Sequence, residues 1–430
     1  MSQRILRVGM LGCGTVGAAV VRLLVEHRDD IERRAGCRLD VTRVAVRDTT
    51  ASRDVPLDAA AFTDDPMTVV DDPDIDIVCE LIGGAEPAGS LILAAFERDK
   101  PVVTANKDLL ASRGQELFDA ADAKGLDLYF EAAVGGGIPL IRPLKESLSG
   151  ERLRRVMGIV NGTTNFILTR MSEDGQTFAD ALGQAQSLGY AEADPTADVD
   201  GHDAAAKCAI LASIAFNARV TGSDVFREGI RAITTEDIEF ARRLGYVVKL
   251  LAIAELGPDE RIAARVHPAM IPASHPLAAV RDANNAVFVE GPSVGELMFY
   301  GRGAGGAATA TAVVGDLVSV ARNLLSGARG VGCTCFHERT IRPMEEMTGQ
   351  YYILLRVEDR PGVLAEIASV FARSEVSIKS VWQEGAGDDA QLVFVTHRAR
   401  EGPFQGAVAE LRGLQAVEEV RSILRVEAEE

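Results

Sequence analysis

The chain has 430 residues, which is enough for two or three domains with apolar cores. Apolar residues make up 47% of it and charged residues 25%, a balance typical of soluble globular proteins. The net charge of −18 argues against nucleic acid or an anionic membrane as a partner, because both bind basic surfaces. No run approaches the roughly 18 uninterrupted apolar residues of a membrane-spanning helix.

The N-terminal residues and the cysteines indicate a compartment. Residues 1–7 lead directly into a strand and lack the apolar segment of a signal peptide. Six cysteines in a chain of this length do not make a disulfide framework. Cys333-Thr334-Cys335 resembles half of a metal site, but no second cysteine pair completes it. We therefore expect a cytoplasmic protein with reduced thiols.

The first motif is a glycine-rich turn between a strand at 7–11 and a helix at 18–26. The turn reads Gly12-Cys13-Gly14-Thr15-Val16-Gly17. This order of strand, turn and helix is the dinucleotide-binding fingerprint. Gly12 permits the turn, Gly14 lets a pyrophosphate approach the backbone, and Gly17 lets helix and strand pack closely. The helix N-terminus would then face the phosphates.

The second strand, 40–46, ends in Arg47 and Asp48. An acidic residue here would bind the ribose 2′-hydroxyl of NAD, whereas an arginine would suit the 2′-phosphate of NADP. Both are present, so the choice stays open. Arg47 lies nearer the strand end and slightly favours NADP.

Further alternation of strands and helices predicts a parallel, doubly wound sheet. The expected strands are 75–82, 101–104 and 126–131, and the expected helices are 91–98 and 109–123. Lys107 follows the strand 101–104, and ligands of such sheets bind beyond the carboxyl ends of the strands. A solvated lysine is an equally common reason for such a residue.

Three consecutive glycines, 135–137, follow Glu131 as the chain leaves the sheet. Such a loop can bring backbone carbonyls close to a ligand or a cation. It can also be a simple hinge, which is the more common case.

The central region changes pattern after Leu153. A strand at 156–160 precedes residues 161–165, whose amides and hydroxyls are typical of the start of a helix, here one ending at Met171. We expect helices around 237–249, strands at 251–255 and 286–290, and an apolar helix at 307–325 that packs onto the nucleotide-binding region.

Residues 192–207 carry the strongest chemical signal. Five carboxylates precede one lysine, and the apolar helix that follows is typical of a buried helix. Asp203 and Lys207 stand at i and i+4 and so share one helix face. They could form an ordinary surface ion pair, but the opening of a buried helix favours a catalytic or ligand-binding role. His202 is a rival acid–base group beside Asp203.

The C-terminal residues predict a separate module after a linker at 326–348. Strands at 351–357, 376–382, 391–396 and 417–426 and helices at 363–371 and 404–411 give a βαββαβ order. The module holds no paired acid and base and no metal spacing. We expect it to bind a ligand or to pair with a copy of itself.

The segment 185–207 resembles the signature of homoserine dehydrogenase. It contains Gly189-Tyr190, Asp194-Pro195, Asp198, Gly201, Asp203 and Lys207. The resemblance also covers the glycine turn, Thr104–Lys107, the loop 131–139, Asn161-Gly162-Thr163 and Gly303-Ala304-Gly305. The tail with Asp359-Arg360-Pro361-Gly362 resembles an ACT domain.

The resemblance implies an α/β fold with a Rossmann-type NAD(P)-binding domain at 1–135 and an α+β substrate-binding and dimerisation domain at 136–305. A helix at 306–325 would return to the nucleotide domain, and an ACT regulatory domain would cover 349–430. The implied reaction is the NAD(P)H-dependent reduction of L-aspartate 4-semialdehyde to L-homoserine and its reverse, in the biosynthesis of threonine, methionine and isoleucine.

The resemblance also implies residue roles. Lys207 would be the general acid, Lys107 would assist orientation or proton transfer, and Asp203 would belong to the catalytic group. The implied substrate-binding residues are Glu192, Asp198, Asp203, Thr163 and Tyr190. The implied cofactor contacts are Gly12, Gly14, Thr15, Val16, Gly17, Arg47, Lys107 and Gly305. Glu131 and the carbonyls of Val134, Gly136 and Ile138 would bind a monovalent cation, usually sodium.

Regulation and assembly follow from the same resemblance. We expect an amino-acid effector, L-threonine, at the ACT domain and a homodimer or homotetramer. A non-catalytic amino-acid sensor that keeps the nucleotide fold is the alternative of a different class, and another amino-acid dehydrogenase is the alternative among enzymes. Both lysines and all the signature acids are retained, which argues against the sensor.

Overall fold

The computed structural model describes residues 4–427. The chain divides into two compact units. The first unit contains residues 4–156, 206–225 and 285–339, and the second contains residues 157–205, 226–284 and 340–427. None of the helices described between residues 4 and 427 is long and apolar enough to span a bilayer.

Twelve strands are described before the C-terminal region. They are β1 (Ile5–Leu11), β2 (Arg38–Ala45), β3 (Phe62–Thr63), β4 (Ile77–Glu80), β5 (Val102–Thr104), β6 (Leu128–Tyr129), β7 (Arg155–Ile159), β8 (Phe226–Arg227), β9 (Tyr246–Leu256), β10 (Ile262–Pro272), β11 (Asn284–Gly291) and β12 (Gly295–Arg302).

The helices described over the same residues are α1 (Thr15–Glu26), α2 (Arg28–Ala35), α3 (Met67–Val70), α4 (Ala88–Glu97), α5 (Lys107–Lys124), α6 (Gly162–Asp174), α7 (Phe178–Ser187), α8 (Thr196–Val199), α9 (His202–Ala215), α10 (Thr235–Arg243) and α11 (Gly306–Ser326). A π-helical turn lies at Pro143–Ser147.

The first unit contains a parallel sheet with the strand order β3-β2-β1-β4-β5-β6. This is the doubly wound order of dinucleotide-binding folds, with the switch point between β1 and β4. Both strands are buried over their carboxyl-terminal halves, as expected when helices cover both faces of a sheet. The predicted strand, turn and helix at the glycine motif are confirmed.

The long helix α11 belongs to the core of the first unit. Its small and aliphatic side chains, among them Ala310, Val313, Leu317 and Val320, lie in one apolar cluster with Val20, Leu24 and other side chains of α1. A helix with this much buried surface gains roughly 25 cal/mol for each Å² of apolar area removed from water.

The second unit corrects one prediction. The expected helix around 237–249 is wrong at its end, because α10 stops at Arg243 and β9 begins at Tyr246. Gly245 adopts φ +81° and ends the helix there. β9 pairs along its length with β10, an antiparallel strand that the sequence did not suggest. The buried Lys249 then lies on β9, and its Nζ donates to Asn165 Oδ1 at 3.0 Å.

The C-terminal residues have the predicted βαββαβ order, with one short strand added before the second helix. The elements are β13 (Thr348–Val357), α12 (Val363–Arg373), β14 (Ile378–Glu384), β15 (Gln391–Thr396), the short β16 (Ala399–Arg400), α13 (Glu401–Arg412) and β17 (Val417–Val426). Tyr351, Phe371, Phe394 and Phe404 lie in its own apolar core.

β17 extends this module into the rest of the second unit. It pairs with β13 on one side and in parallel with β10 on the other, where Ala269 lies opposite Arg425. The Glu427 N–H also donates to the Met270 carbonyl at 2.9 Å. The module is therefore joined to β10 by a shared sheet.

Candidate active site

The glycine turn after β1 has the geometry of a phosphate cradle. Gly12 adopts φ +100°, and a Cβ there would lie 2.8 Å from the Leu81 carbonyl oxygen. A Cβ on Gly17 would lie 2.6 Å from the Gly12 carbonyl oxygen, so both positions require glycine. Nothing lies within 4 Å of a Cβ built on Gly14. The turn is closed on its protein side and open where a pyrophosphate would approach the N-terminus of α1.

Gly305 and Gly306 lie beside this turn in the same unit. Gly305 adopts φ +113°, and a Cβ on Gly306 would lie 2.9 Å from Thr15 Cγ2. The start of α11 therefore approaches the start of α1, as the predicted cofactor contacts at Thr15 and Gly305 require.

A buried carboxylate organises the neighbouring strand ends. Glu80 accepts the N–H groups of Ile82 and Gly83 at 2.8 and 3.0 Å and the Thr104 hydroxyl at 2.6 Å. The Asn106 amide donates to the Gly84 carbonyl at 2.7 Å. These bonds tie the end of β4 to the start of α5. Sequence reasoning did not single out Glu80.

Lys107 opens α5 directly after this cluster. Asn106 caps the helix by accepting the Leu109 N–H, so Lys107 occupies the first helical position. Its Nζ lies 3.5 Å from Asp108 Oδ2, and its side chain is 30% exposed. The ammonium is thus placed at the carboxyl edge of the sheet, where ligands of this fold bind.

Arg47 and Asp48 follow β2 and are both exposed. Asp48 Oδ1 accepts the N–H and the hydroxyl of Thr50 at 2.8 and 2.7 Å. These hydrogen bonds hold the pKa of Asp48 below its usual range. The carboxylate is therefore partly engaged by its own turn.

The loop that leaves the sheet turns sharply at two glycines. Gly135 adopts φ +74° and Gly136 adopts φ +54°. A Cβ on Gly136 would lie 2.5 Å from the Gly303 carbonyl oxygen, so the loop packs tightly on the turn before α11. Among residues 4–427 no cluster of three or more His, Cys, Asp or Glu side chains could hold a metal ion. A cation in this loop would depend on carbonyl oxygens.

Glu131 has a structural function that the sequence did not reveal. Its Oε1 accepts the N–H groups of Leu140 and Ile141 at 2.5 and 2.8 Å, and its Oε2 accepts the Arg142 N–H at 3.0 Å. A cation that contacts this carboxylate would share it with three amides. These three hydrogen bonds occupy the Glu131 carboxylate and do not involve the main-chain carbonyls of the loop.

Asp316 of α11 completes a buried network in the first unit. Its carboxylate accepts the Glu131 N–H at 2.8 Å and an Arg142 N–H at 2.7 Å. Burial raises the pKa of Asp316 to about 7, although the charge of Arg142 and the Glu131 N–H oppose the rise. The network fixes both ends of the loop 131–142.

In the second unit, Asn161 brings two predicted substrate carboxylates together. Its Nδ2 donates to Asp198 Oδ1 at 2.7 Å and to Asp203 Oδ2 at 2.9 Å, while its Oδ1 caps α6 by accepting the Thr164 N–H. The sequence suggested the cap but not the clamp. Two carboxylates held side by side form an anionic cluster suited to an ammonium group.

Thr163, Tyr190 and Glu192 are the other predicted substrate-binding residues of the second unit. The buried Thr163 donates its hydroxyl to the Tyr190 carbonyl at 2.6 Å, which leaves its oxygen as an acceptor. Tyr190 is 47% exposed, and its ring lies 5.1 Å from that of Phe166, measured between ring centroids. The side chain of Glu192 is exposed.

Lys207 lies on α9, one turn after Asp203. Residues around it, including Ala204, Ala206, Cys208 and Leu211, are buried, and Lys207 itself is half-buried. The prediction of a buried helix is confirmed. His202, the rival acid–base group, is exposed.

Comparisons with known proteins show the family. The chain is 50% identical to a homoserine dehydrogenase of Mycobacterium tuberculosis over 98% of this chain and 97% of the relative. It is 48% identical to that of Corynebacterium glutamicum over 98% and 95%. The chain belongs to the homoserine dehydrogenase family. Its family profiles match residues 12–131 (homoserine dehydrogenase, NAD binding domain), 139–318 (homoserine dehydrogenase) and 351–415 (ACT domain).

Solved structures agree with this assignment. A homoserine dehydrogenase from Thiobacillus denitrificans has a TM-score of 0.93 and 42% identity, with 99% of each chain covered. A hyperthermophilic archaeal homoserine dehydrogenase in complex with NADPH has a TM-score of 0.64 and 27% identity, covering 77% of this chain and all of the other. The predicted fold and an NAD(P)-dependent oxidoreductase with an ACT domain are therefore confirmed. The ACT domain indicates a small-molecule effector.

Proposed function

We propose that the protein catalyses the NAD(P)H-dependent reduction of L-aspartate 4-semialdehyde to L-homoserine, and the reverse reaction. Identity of 48–50% over nearly the full chain to named homoserine dehydrogenases is the observation that carries this proposal. The clamp of Asp198 and Asp203 by Asn161 supports it from the geometry, since an amino-acid substrate carries a permanent ammonium group.

The glycine cradle fits a dinucleotide, because its turn is closed toward the protein and open above Gly14. When bound, the nicotinamide supplies the hydride that the reduction consumes. The chain's residues bind and orient it: the N-terminus of α1 faces the phosphates, with Gly12, Thr15, Val16 and Gly17 in the turn and Gly305 beside it. Because Asp48 is engaged by Thr50 while Arg47 is exposed, NADP is the favoured form.

Two lysines have distinct proposed roles. Lys207 donates a proton to the carbonyl oxygen as negative charge develops there, which is the task of a general acid. Lys107, at the first position of α5, orients the substrate or assists the proton transfer. Asp203, one turn before Lys207, holds the substrate and keeps the ammonium of Lys207 near it by charge.

Binding of the substrate rests on the second unit. Asp198, Asp203 and Glu192 attract the substrate ammonium or accept its hydroxyl. The Thr163 oxygen is an acceptor because its hydrogen is donated to Tyr190. Tyr190 lines the pocket with its exposed ring.

One assay tests the function directly. Purified protein should consume NADPH in the presence of aspartate semialdehyde, and NADH more slowly. Lys207→Ala should lower kcat about 10²–10⁴-fold with little change in cofactor affinity, whereas the exposed Lys379→Ala should match the wild type. Absence of turnover with both nicotinamides would refute the assignment and favour the non-catalytic sensor.

We also propose a monovalent cation, sodium, at Glu131 and the carbonyls of Val134, Gly136 and Ile138. The positive φ angles of Gly135 and Gly136 support it, because a backbone in this conformation can bring carbonyl groups close to a cation. Replacement of sodium by a bulky organic cation at constant ionic strength should lower kcat/KM. Activity that is indifferent to the cation would exclude the site.

The proposed effector is L-threonine at the ACT domain. The contacts that join this domain to the rest of the second unit support a route for inhibition, since Arg425 of β17 pairs with Glu228, the residue after β8, at 2.5 Å. Calorimetry with threonine and rate measurements with and without it would test the effector. A lack of both binding and inhibition would remove threonine.

The oligomeric state, the cellular location and the domain limits are proposed from the family resemblance. We propose a homodimer or homotetramer in the cytoplasm, with domains ending near residues 135, 305 and 348. Light scattering of the full chain measures its mass in solution, and a monomer at assay concentration would contradict the assembly.

A further inference from the structure

A cavity in the first unit lies outside the residues proposed for catalysis. Its volume is about 580 Å³, open space included, and it lies between α5, α9 and the segment that follows α11. Its apolar walls include Phe118, Phe130 and Ile210, and its chemical groups are Lys145, Cys333 and Cys335.

The two thiols in this cavity are close and accessible. Both cysteines are half-buried, whereas Cys13, Cys37, Cys79 and Cys208 are buried. The Cys335 N–H donates to Cys333 Sγ at 3.4 Å, so the chain turns back on itself between them. Asp122 steadies this turn by accepting the Cys333 N–H at 3.3 Å and by pairing with Arg329.

The surroundings favour a thiolate at Cys333. The hydrogen bonds from Cys335 lower the pKa of the Cys333 thiol, and the charge of Lys145 lowers it further against burial and Asp119. The pKa of Cys335 is raised by the same hydrogen bond and by burial. Because the Cys335 N–H donates to Cys333 Sγ, the geometry favours Cys333 as the nucleophile.

Lys145 is held in place by the cavity. Its Nζ donates to the Val331 carbonyl at 3.0 Å and lies 5.4 Å from the centroid of the Phe130 ring. Arg219 adds a second positive group to the lining. The thiols therefore meet a fixed cation within a mostly apolar site.

The walls connect the cavity to the two lysines of the proposed reaction. Leu110, Ala111 and Gly114 follow Lys107 at i+3, i+4 and i+7 on α5, and Ile210 and Ile214 follow Lys207 at i+3 and i+7 on α9. On α9, and on α5 as far as Arg113, residues at this spacing share one helix face. α5 also departs from helical geometry at Arg113, within the stretch that lines the cavity.

We propose that Cys333 is a site of oxidation by hydroperoxides, with Cys335 as the resolving thiol, and that the resulting disulfide slows the enzyme through α5 and α9. The thiol chemistry stands on the cavity alone. Only the effect on rate rests on the proposed function, since it acts through Lys107 and Lys207.

The chemistry needs no oxidant or reductant beyond the two thiols and the hydroperoxide. The Cys333 thiolate attacks the distal oxygen; the S–O bond forms, the O–O bond breaks, and the departing oxygen takes a proton from Lys145 or water. The Cys335 thiol then attacks the sulfenic sulfur, the S–S bond forms, and the hydroxyl leaves with the thiol proton as water. The thiols lose two electrons and the hydroperoxide gains them.

The test uses hydrogen peroxide on the reduced full-length protein, followed by alkylation and mass spectrometry of the peptides. We expect a disulfide between Cys333 and Cys335 that dithiothreitol reverses, while Cys13, Cys37 and Cys79 stay reduced. In Cys335→Ser, dimedone should trap a sulfenic acid at Cys333, and in Cys333→Ser neither product should form. Peroxide that oxidises the buried cysteines as fast as Cys333, or a disulfide only between two chains, would overturn the proposal.

A second pair of variants separates chemistry from folding. Lys145→Met should slow the reaction of Cys333 with peroxide and move its pH profile upward, because the thiolate loses the nearby positive charge of Lys145. Asp119 still disfavours the thiolate, while Arg219 stays in the lining as a positive group beside Cys335. Lys124→Met, at the end of α5, should leave both unchanged. An unaltered profile in Lys145→Met would contradict the proposed thiolate.

The rate measurement completes the test. In wild type with proven homoserine oxidation, the disulfide should lower kcat by about 2- to 30-fold, the range of coupling seen between distant sites, and reduction should restore it. Cys333→Ser should be active and insensitive to peroxide. An active enzyme whose kcat is unchanged by the complete disulfide would overturn the link to α5 and α9, whereas a protein without basal activity would refute the proposed function instead.

Discussion

In the first unit the guanidinium of Arg142 faces the carboxylates of Glu131 and Asp316, and in the second unit that of Arg425 faces those of Glu228 and Glu401. Both are pairs of acids around one arginine, yet the pKa of one carboxyl group in each pair, Asp316 and Glu401, shifts in opposite directions. Burial raises the pKa of Asp316 to about 7. For Glu401, the hydrogen bonds and charge of Arg425 overcome burial and lower the pKa.

The difference follows from the number of donors. Asp316 accepts one backbone N–H and one guanidinium N–H. Glu401 accepts two N–H groups of Arg425, the Tyr351 hydroxyl and the Gln405 amide. A buried carboxylate stays ionised when its donors replace the water it has lost. The first network is therefore sensitive to rising pH and the second to falling pH.

The largest expected effect comes from breaking the second network. Arg425→Met leaves Glu401 buried without its cation, which should cost about 3–5 kcal/mol in the free energy of unfolding. Thermal unfolding of the full chain measures this. Arg243→Met is the matched control, because its pair with Glu384 is exposed and solvent screens such pairs so strongly that they contribute little to stability. Equal losses in the two variants would contradict the importance of burial.

Features set by local spacing were predictable from the sequence, whereas contacts between distant residues were not. The turn from β1 into α1 was predictable because glycines at fixed local spacing require it. The clamp at Asn161 was not, since its partners lie 37 and 42 residues away, and Asp316 lies 185 residues from Glu131. The apolar run after Gly245 suits a buried helix or a strand equally well, and pairing with β10 decides it.

A pH titration sharpens the comparison for the first network. Because the folded pKa of Asp316 is raised above its ordinary value of 3.8, its contribution to stability is complete below about pH 4 and is lost as pH rises through about 7. Asp316→Asn cannot titrate, so the difference in melting temperature between wild type and variant should shift in favour of the variant over this window. The slope is at most about 1.4 kcal/mol per pH unit. A difference that is constant from pH 4 to 8 would show that Asp316 is ionised throughout.

The loop that the first network holds offers a smaller test. Gly136→Ala places a Cβ 2.5 Å from the Gly303 carbonyl oxygen in a residue with φ +54°, and the left-handed conformation alone costs about 1–2 kcal/mol. We expect weaker cation dependence and a lower kcat/KM. Gly150→Ala, where nothing lies within 4 Å, should behave as wild type. A Gly136→Ala variant with normal kinetics would separate the loop from the reaction.

The smallest expected effect concerns communication within the second unit. Arg425 pairs with Glu228. Just after Glu228 along the chain, the Ile230 N–H donates to the Val199 carbonyl at 2.8 Å, and Arg231 pairs with Asp200 at 2.5 Å. These last contacts adjoin Asp198 of the carboxylate cluster.

Glu228→Gln should therefore weaken inhibition by threonine by about 0.5–2 kcal/mol of coupling, while threonine still binds the ACT domain. Its control is Glu384→Gln. This change removes a charge from another ion pair of the same module, the pair of Glu384 with Arg243. Inhibition curves and calorimetry on both variants measure coupling and binding separately. If Glu384→Gln relieves inhibition as much as Glu228→Gln, the signal depends on docking of the whole module, and the segment 228–231 has no special part in it.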